Sequence, residues 1–277
     1  MALQVKKIAG ALGAEISGID LAKDLTPESA AEIRKIWLEH LVVFFREQKL
    51  EPGHFMNFAH SMGEPVEYPF VKGIEGWPRI IEIKKLEHEK VNFGGVWHAD
   101  TTYLEEPPMG TMLVARELPP YGGDTMFANQ YMAFESLSDT MQRMIEPLKG
   151  ISSSAKADVS KTREDRLTDG SARSDAKTEY HAVHPMVATH PETGRKALYV
   201  NIAHTVGIEG LTEGESRGLL EYLFAHQVRP EFTCRFNWRL GSVAFWDNRC
   251  AQHNPVNDYH GHRRLLHRIT LKGARPR

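Results

Sequence analysis

The sequence lacks most of what would place it in several large classes of protein. It has two cysteines, Cys234 and Cys250, in 277 residues. That is too few for a disulfide framework, so both are expected to be buried, reduced thiols. No apolar run approaches the ~18 residues of a membrane span. The first residues, MALQVKKIAG, lack the apolar core of a secretory signal. The cytoplasm, with no membrane partner, is the resulting expectation. No charge is in excess: a formal net charge of −2 offers no broad basic surface, so nucleic acid is not an expected partner. Internal repeats and an obvious linker are also missing. What remains is 41% hydrophobic and 25% charged, the balance of a globular enzyme able to bury a sizeable core. The length allows one large domain or two small ones.

Several elements are legible. Residues 4–20 read as two short strands around Gly10 and Gly13. Thr26-Pro27-Glu28 opens a helix, with Thr as N-cap, Pro at the first helical position and an acid in the first turn. Ile33, Ile36, Trp37 and Leu41 give that helix an apolar stripe. The continuous apolar run Leu41 to Phe45 has the length of a buried strand, and Arg79 to Lys84 reads as another. A second helix opens at Thr212, with Glu215 completing a capping box and Leu219, Leu220, Leu223 and Phe224 on its apolar face. Residues 152–180 differ from the rest. They are polar, carry mixed charge and show no apolar periodicity. A solvated loop is one reading, and a lid over a functional site is the other.

The chemistry is concentrated in His98-Ala99-Asp100 and in His253, far downstream. Residues i and i+2 of a strand share a face, and strand-forming Trp97 and Thr101-Thr102-Tyr103 flank the pair. An extended segment would thus let His98 and Asp100 grip one ion, with His253 as the third ligand. Two imidazoles and a carboxylate form the facial triad of non-heme Fe(II) oxygenases, which leaves coordination positions open. The pair alone is a weak signal in a chain with 14 histidines. Downstream, the strand Val243 to Trp246 leads through a polar turn to His253. A further strand-like stretch carries Arg264 and Arg268 interleaved with Leu265, Leu266 and Ile269.

These blocks together resemble the Fe(II)- and 2-oxoglutarate-dependent dioxygenases of the taurine / 2,4-dichlorophenoxyacetate dioxygenase family. The resemblance runs from GALGAEISGIDL (Gly10 to Leu21) through WHADTTYLEEPP, GGDTMFAN and HPETGRKALYVN to WDNRCAQH and HRRLLHR. It implies a mainly β fold with flanking helices: a double-stranded β-helix, the cupin-like jelly roll. It further implies one dioxygenase domain over 1–277, with the site inside the roll and 152–180 as a mobile lid. The implied metal is Fe(II), bound by His98, Asp100 and His253. The implied cosubstrates are 2-oxoglutarate and O2. Arg264 matches the clamp on the distal carboxylate of 2-oxoglutarate, its planar fork suited to bidentate pairing, and Thr125 matches the hydroxyl that donates to the same group. Arg268, four residues on and on the same strand face, matches the arginine that binds the anionic head of the primary substrate. The backbone N–H of Thr101 can assist it, and Arg263 alternates to the opposite face.

The implied reaction is oxidative decarboxylation of 2-oxoglutarate to succinate and CO2, coupled to hydroxylation of a small anionic organic substrate. Where the hydroxylated carbon bears oxygen or sulfur, that bond then breaks. The pocket departs from the taurine enzyme's pattern: Phe70 stands in Tyr68-Pro69-Phe70 where that pattern has His, and Gly94 stands where it has Asn. The segments KGIEGWP, DTTYLEEPP and FTCRFNW look closer to the aryloxyalkanoate branch, so an aryloxyalkanoate carboxylate is favoured, with an alkylsulfonate or alkyl sulfate as the alternative. Phe70, Phe93 and Tyr103 would form an aromatic wall. His204 reads either as a contact to substrate or lid or as a structural histidine. Relatives imply a homo-oligomer, a dimer or tetramer. Two readings of other classes stay open at this stage: a metal-dependent hydrolase and a non-catalytic, anion-binding jelly roll.

Overall fold

The run after Leu41 shows how one sequence pattern builds two layers. The computed structural model describes residues 3–156, 173 and 179–277. Its helices are α1 Pro27–His40, α2 Pro52–Met62, α3 Gln130–Glu135, α4 Asp139–Ile145 and α5 Glu213–His226. Its strands in the first half are β1 Gln4–Lys7, β2 Ala14–Ser17, β3 Val42–Phe45, β4 Pro65–Val66, β5 Ile81–Lys85, β6 Gly110–Glu117, β7 Thr125–Asn129 and β8 Lys149–Ser153. Those in the second half are β9 His181–Pro185, β10 Val187–Thr189, β11 Lys196–Leu198, β12 Thr205–Ile208, β13 Thr233–Phe236, β14 Val243–Asp247, β15 Ala251–Pro255 and β16 Arg264–Leu271.

Every side chain of β3 is buried, and strand alternation sends them to opposite faces. Val43 and Phe45 join Val114, Phe245, Ile269 and Leu271 against Ile33, Ile36 and Trp37 of α1 and Phe55 and Phe58 of α2. Trp37 stacks on Phe245 with ring centroids 4.3 Å apart. Val42 and Phe44 instead meet Leu113, Trp246 and Leu266 on one side and Phe127, Cys234, Phe236 and Ala251 on the other. Each such aliphatic or aromatic side chain contributes roughly 1.5–3 kcal/mol on burial, which fixes the strand in its layer.

The larger sheet has the order β1-β2-β3-β14-β6-β16-β4, with β5 also on β16. The smaller facing sheet is β13-β7-β15. The layers are helix, large sheet and small sheet, the jelly roll with helices outside that the resemblance implied. Both helix starts follow the sequence: Thr26 caps α1 through Ser29 N–H, and Thr212 with Glu215 forms the capping box of α5. The strand expected from Arg79 begins at Ile81, because Ile80 still closes a turn with Trp77. Of the stretch 152–180, Ser152 and Ser153 belong to β8. The lid expectation falls mostly on 157–172 and 174–178, which lie outside the described residues. Among the described residues, no helix is long and apolar enough to cross a membrane.

Candidate metal centre and substrate cavities

His253 sits mid-strand in β15 of the small sheet, and Arg264 and Arg268 sit on β16 of the large sheet, so the site lies between the two. The segment carrying His98 is the correction to the sequence reading: it is not a strand. His98 makes an isolated antiparallel bridge to His253, with His98 N–H donating to the His253 carbonyl at 3.0 Å and the reverse bond at 2.8 Å. The chain then turns, with Thr101 at φ 45°. One bridge therefore brings the distant ligands together, and the turn swings Asp100 back towards them. Ligand atoms of His98, Asp100 and His253 all lie within 4.8 Å of one another, and all three residues are buried.

Local bonds set the protonation each ligand needs. The His98 Nδ1–H donates to the Val96 carbonyl at 2.7 Å. Fixing one ring nitrogen this way leaves Nε2 as the lone-pair donor. Gly94 makes the space: at φ 70° it lies where a Cβ would come within 2.8 Å of His98 Cε1. Burial lowers the pKa of both His98 and His253, holding them neutral. Burial opposes ionisation of Asp100, but the Arg268 guanidinium, helped by the Thr111 hydroxyl, outweighs it and holds the carboxyl well below the usual range. Thr111 Oγ1–H donates to Asp100 Oδ2 at 2.6 Å. Asn248 accepts from Asp100 N–H and from Trp246 Nε1–H and donates to Thr111 Oγ1. Neutral imidazoles with an ionised carboxylate are the donor set suited to Fe(II).

Two cavities meet at this triad. One is lined by Thr125, His253, Arg264, Leu266, Trp246, Phe93 and Arg268 among others. Arg264 is buried, and its Nε and Nη2 have no hydrogen-bond partner among the described residues. Burial lowers its pKa, opposed by the Tyr259 hydroxyl and Asp124. Tyr259 is held in turn by donating to Asn92 Oδ1 at 2.7 Å. Gly123, at φ 69°, leaves room for the arginine, since a Cβ there would lie 3.2 Å from Arg264 Cδ. Thr125 Oγ1 accepts from Trp238 Nε1–H at 3.0 Å, so its own proton remains to be donated. A buried guanidinium with unspent donors beside a hydroxyl donor is a cradle for a carboxylate. The residues thus fit both the metal and 2-oxoglutarate.

The second cavity is lined by Tyr68, Phe93, Gly94, Val96, Thr101, Tyr103, Ala203, His204 and Arg268, with His98 and Asp100 at its base. Tyr103 and Thr101 line it as the sequence reading expects. Phe70 does not; it packs behind, 5.9 Å from the Tyr103 ring. Arg268 was expected to be free for a second anion. It instead forms an ion pair with Asp100 Oδ1 at 2.9 Å and lies over Tyr68. The pair lacks hydrogen-bond alignment, so Arg268 Nε and Nη2 still have donors to give. Arg263 is on the surface with Glu117, as alternation predicts. His204 is buried in the wall, with burial the main cause that pushes its pKa down to about 3. A separate cleft at Lys72, Trp77 and Arg173 shares no lining residue with either cavity.

Sequence reasoning missed Asn248, Thr111, Trp238, Tyr259 and Asn92. Asn248 and Trp238 fall within quoted blocks, WDNRCAQH and FTCRFNW, but no spacing rule gives them a role. With the geometry in place, comparison with known proteins is informative. The model of the family described as taurine catabolism dioxygenase TauD, TfdA matches residues 4–270. An alkylsulfatase of Acinetobacter baylyi is 35% identical over 279 residues, covering 98% of this chain and 85% of that protein. An alpha-ketoglutarate-dependent sulfate ester dioxygenase of Pseudomonas putida is 33% identical over 282 residues, covering 99% and 91%. The crystal structure of a taurine dioxygenase from Burkholderia xenovorans superimposes with a TM-score of 0.83 at 36% identity, covering 99% of this chain and 92% of that one. The chain belongs to the TauD, TfdA family, and its reaction is that of an Fe(II)- and 2-oxoglutarate-dependent dioxygenase.

Proposed function

We propose that this dioxygenase hydroxylates a small organic anion at the carbon next to an oxygen, so that the C–O bond then breaks. The observation that carries this reading is the meeting of two unlike cavities at one triad. Arg264 and Thr125 serve a carboxylate in the first. The second combines an aromatic wall with one cation, Arg268. Iron, when bound by His98, Asp100 and His253, supplies the coupling of O2 reduction to oxidative decarboxylation of 2-oxoglutarate. The chain supplies the geometry. Arg264 takes the distal carboxylate and Thr125 donates a second hydrogen bond to it. Trp246, whose ring lies 4.5 Å from that of His253, keeps water from that side of the centre. Arg268 offers its unspent donors to the substrate's anionic head, and Tyr68, Phe93 and Tyr103 pack its apolar body.

An alkyl sulfate ester stands first among substrates, because both relatives are named for that class and align with nearly all of this chain. An aryloxyalkanoate carboxylate stands second, supported by the aromatic wall and by the sequence blocks near Lys72 and Phe232. Both present an anion and an O–CH unit, and each would yield a carbonyl compound and an oxygen leaving group. A cytoplasmic location is part of the same proposal, as two buried free thiols suit a reducing compartment, and so is a homo-oligomer, which rests on the family resemblance alone.

The test is a panel of alkyl sulfates, alkylsulfonates and aryloxyalkanoates with Fe(II), ascorbate and 2-oxoglutarate, reading succinate against a substrate-free control. Substrate-dependent succinate formation is expected, and its absence across the panel overturns the reading. Arg264→Ala should weaken 2-oxoglutarate binding by roughly 2–5 kcal/mol, the cost of unpairing a desolvated charge, read in the Fe(II)–2-oxoglutarate absorption. Arg268→Ala should spare that titration more than it spares product formation, leaving uncoupled succinate. Equal loss of both would make Arg268 a support for Asp100 alone.

A further inference from the structure

One buried polar cluster at the second cavity is used by neither metal nor cosubstrate. It comprises Asn201, Thr102 and His204, all buried. Its hydrogen bonds can be assigned in sequence. The His204 backbone N–H donates to Asn201 Oδ1 at 2.9 Å, which fixes the orientation of that amide. Asn201 Nδ2 is then the donor to Thr102 Oγ1 at 3.1 Å. Asn201 itself is held by its N–H donating to Thr205 Oγ1 and by its carbonyl accepting from Thr205 N–H. The Thr102 hydroxyl, having accepted one bond, has its own proton to place, and His204 Nδ1 lies 3.0 Å away. Among the described residues no other bond takes that proton, so the arrangement that uses it makes Nδ1 the acceptor. A neutral imidazole with a bare Nδ1 carries its proton on Nε2.

That Nε2–H has no acceptor among the described residues. The ring lines the cavity together with Arg268, Tyr103 and the metal-binding residues. Its centroid is 6.0 Å from that of His98 and 4.9 Å from that of Tyr103. Outside the triad, the other lining side chains are Arg268, Thr101, two tyrosines, Tyr68 and Tyr103, and aliphatic or aromatic groups. A donor that faces the cavity with no protein acceptor is available to an acceptor on a bound molecule.

Resting on the functional reading above, we infer that His204 Nε2–H is a substrate-positioning donor to an oxygen of the primary substrate. The anionic head is then held by one charged donor, Arg268, and one neutral donor, His204. Thr102 and Asn201 act through His204 by fixing its tautomer. The pair selects for an oxyanion. It selects against a substrate presenting an ammonium at that point, since two donors would face each other.

The test compares His204→Phe, which keeps an aromatic ring and removes the donor, with His204→Gln, whose amide can place an N–H near the same point. Thr102→Val, which removes the proton that holds Nδ1 as acceptor, is compared with Thr102→Ser, which keeps it. The probe substrate is hexyl sulfate or, if the panel favours carboxylates, phenoxyacetate. His204→Phe and Thr102→Val should raise KM about ten- to a hundredfold, the loss of one buried hydrogen bond. They should raise uncoupled succinate and leave the 2-oxoglutarate titration in place, which also shows that they fold. His204→Gln and Thr102→Ser should recover most of the affinity. In zinc-loaded protein with 15N-labelled histidine, the resonances that vanish in His204→Phe should report a protonated Nε2 and a bare Nδ1. An unchanged KM in His204→Phe, or a protonated Nδ1, overturns the inference while leaving the dioxygenase reading intact. A wild-type protein that turns over no member of the panel fails that reading instead.

Discussion

Two buried clusters in this molecule look alike by residue type and differ in everything a metal would need. His98, Asp100 and His253 place their ligand atoms within 4.8 Å, and so do His190, Asp247 and Cys250. Each contains a buried carboxylate beside an arginine: Asp100 with Arg268 at 2.9 Å and Asp247 with Arg249 at 2.6 Å. The difference lies in where the lone pairs go. In the second cluster His190 Nδ1 accepts from the N–H groups of Glu192 and Thr193, and the other nitrogen faces Asp247 Oδ2 at 3.0 Å. Both Asp247 oxygens accept from Arg249. Burial raises the Cys250 thiol well above its ordinary pKa, so it offers no thiolate. In the first cluster His98 spends only Nδ1, and Asp100 faces an arginine that is paired but poorly aligned. Residue type nominates a metal site; unspent lone pairs in the right protonation state make one.

The largest effects should come from breaking the first cluster. His98→Ala, Asp100→Ala or His253→Ala should each lower iron retention after dialysis and oxygen-dependent turnover by far more than about a hundredfold, the usual upper figure for losing only an outer partner of a ligand. Circular dichroism should show the jelly roll intact. Full turnover by His253→Ala would remove the distinction between the clusters.

The second cluster should respond in stability alone. Asp247→Asn should cost about 3 kcal/mol, the low end for breaking a buried ion pair, because Glu192 remains 2.7 Å from Arg249. Unfolding in urea reads this cost, and metal content per chain should not change. Loss of iron from Asp247→Asn would mean that the two clusters are coupled. A subtler change sharpens the contrast from the other side. Gly94→Ala would press on His98 Cε1 and hold a side chain at a φ that only glycine adopts easily. About a tenfold loss of iron affinity is expected, the lower figure for disturbing a ligand's support, with a stability loss of about 1–2 kcal/mol from the left-handed backbone, smaller than that of Asp247→Asn.

How far this contrast was legible beforehand follows from distance along the chain. The grouping of the triad residues, the buried Arg264 and the caps of α1 and α5 were readable, because each is a residue type at a short fixed spacing or within a block that resembles a family. The jelly roll came from that resemblance, and the facing burial of Val42 and Phe44 against Phe127 and Phe236 bears it out. Less was legible where partners are remote. Asp100 meets Asn248, Tyr259 meets Asn92 and Trp238 meets Thr125 across 148, 167 and 113 positions, and no periodicity links such pairs. The strand assigned to His98–Asp100 failed for a related reason. The segment is rich in strand formers, but among the described residues its ladder contact is the single bridge to His253, and a turn at Thr101 follows. The ion pair of Arg268 was invisible because a shared strand face fixes direction, not the partner that lies opposite.

The smallest effect concerns pH, and it tests the claim that Asp247 is held ionised by a partner of its own. Burial alone would raise its pKa; Arg249 and the hydrogen bond with His190 overcome this and hold it below the ordinary carboxylate value. A carboxyl whose folded pKa is depressed contributes stability that is fully present above the unfolded value. That contribution is lost as pH falls through the folded pKa. The stability difference between wild type and Asp247→Asn should therefore be flat from about pH 7 to about pH 5, since both reference values lie below that window. It should narrow only as pH drops below the ordinary carboxylate range. The flat part should persist in metal-free protein, because the second cluster has no use for iron. A difference that already narrows near neutrality would mean that Arg249 does not hold Asp247 ionised. The cluster would then be a proton-sensitive site, and the contrast with the triad would rest on the metal alone.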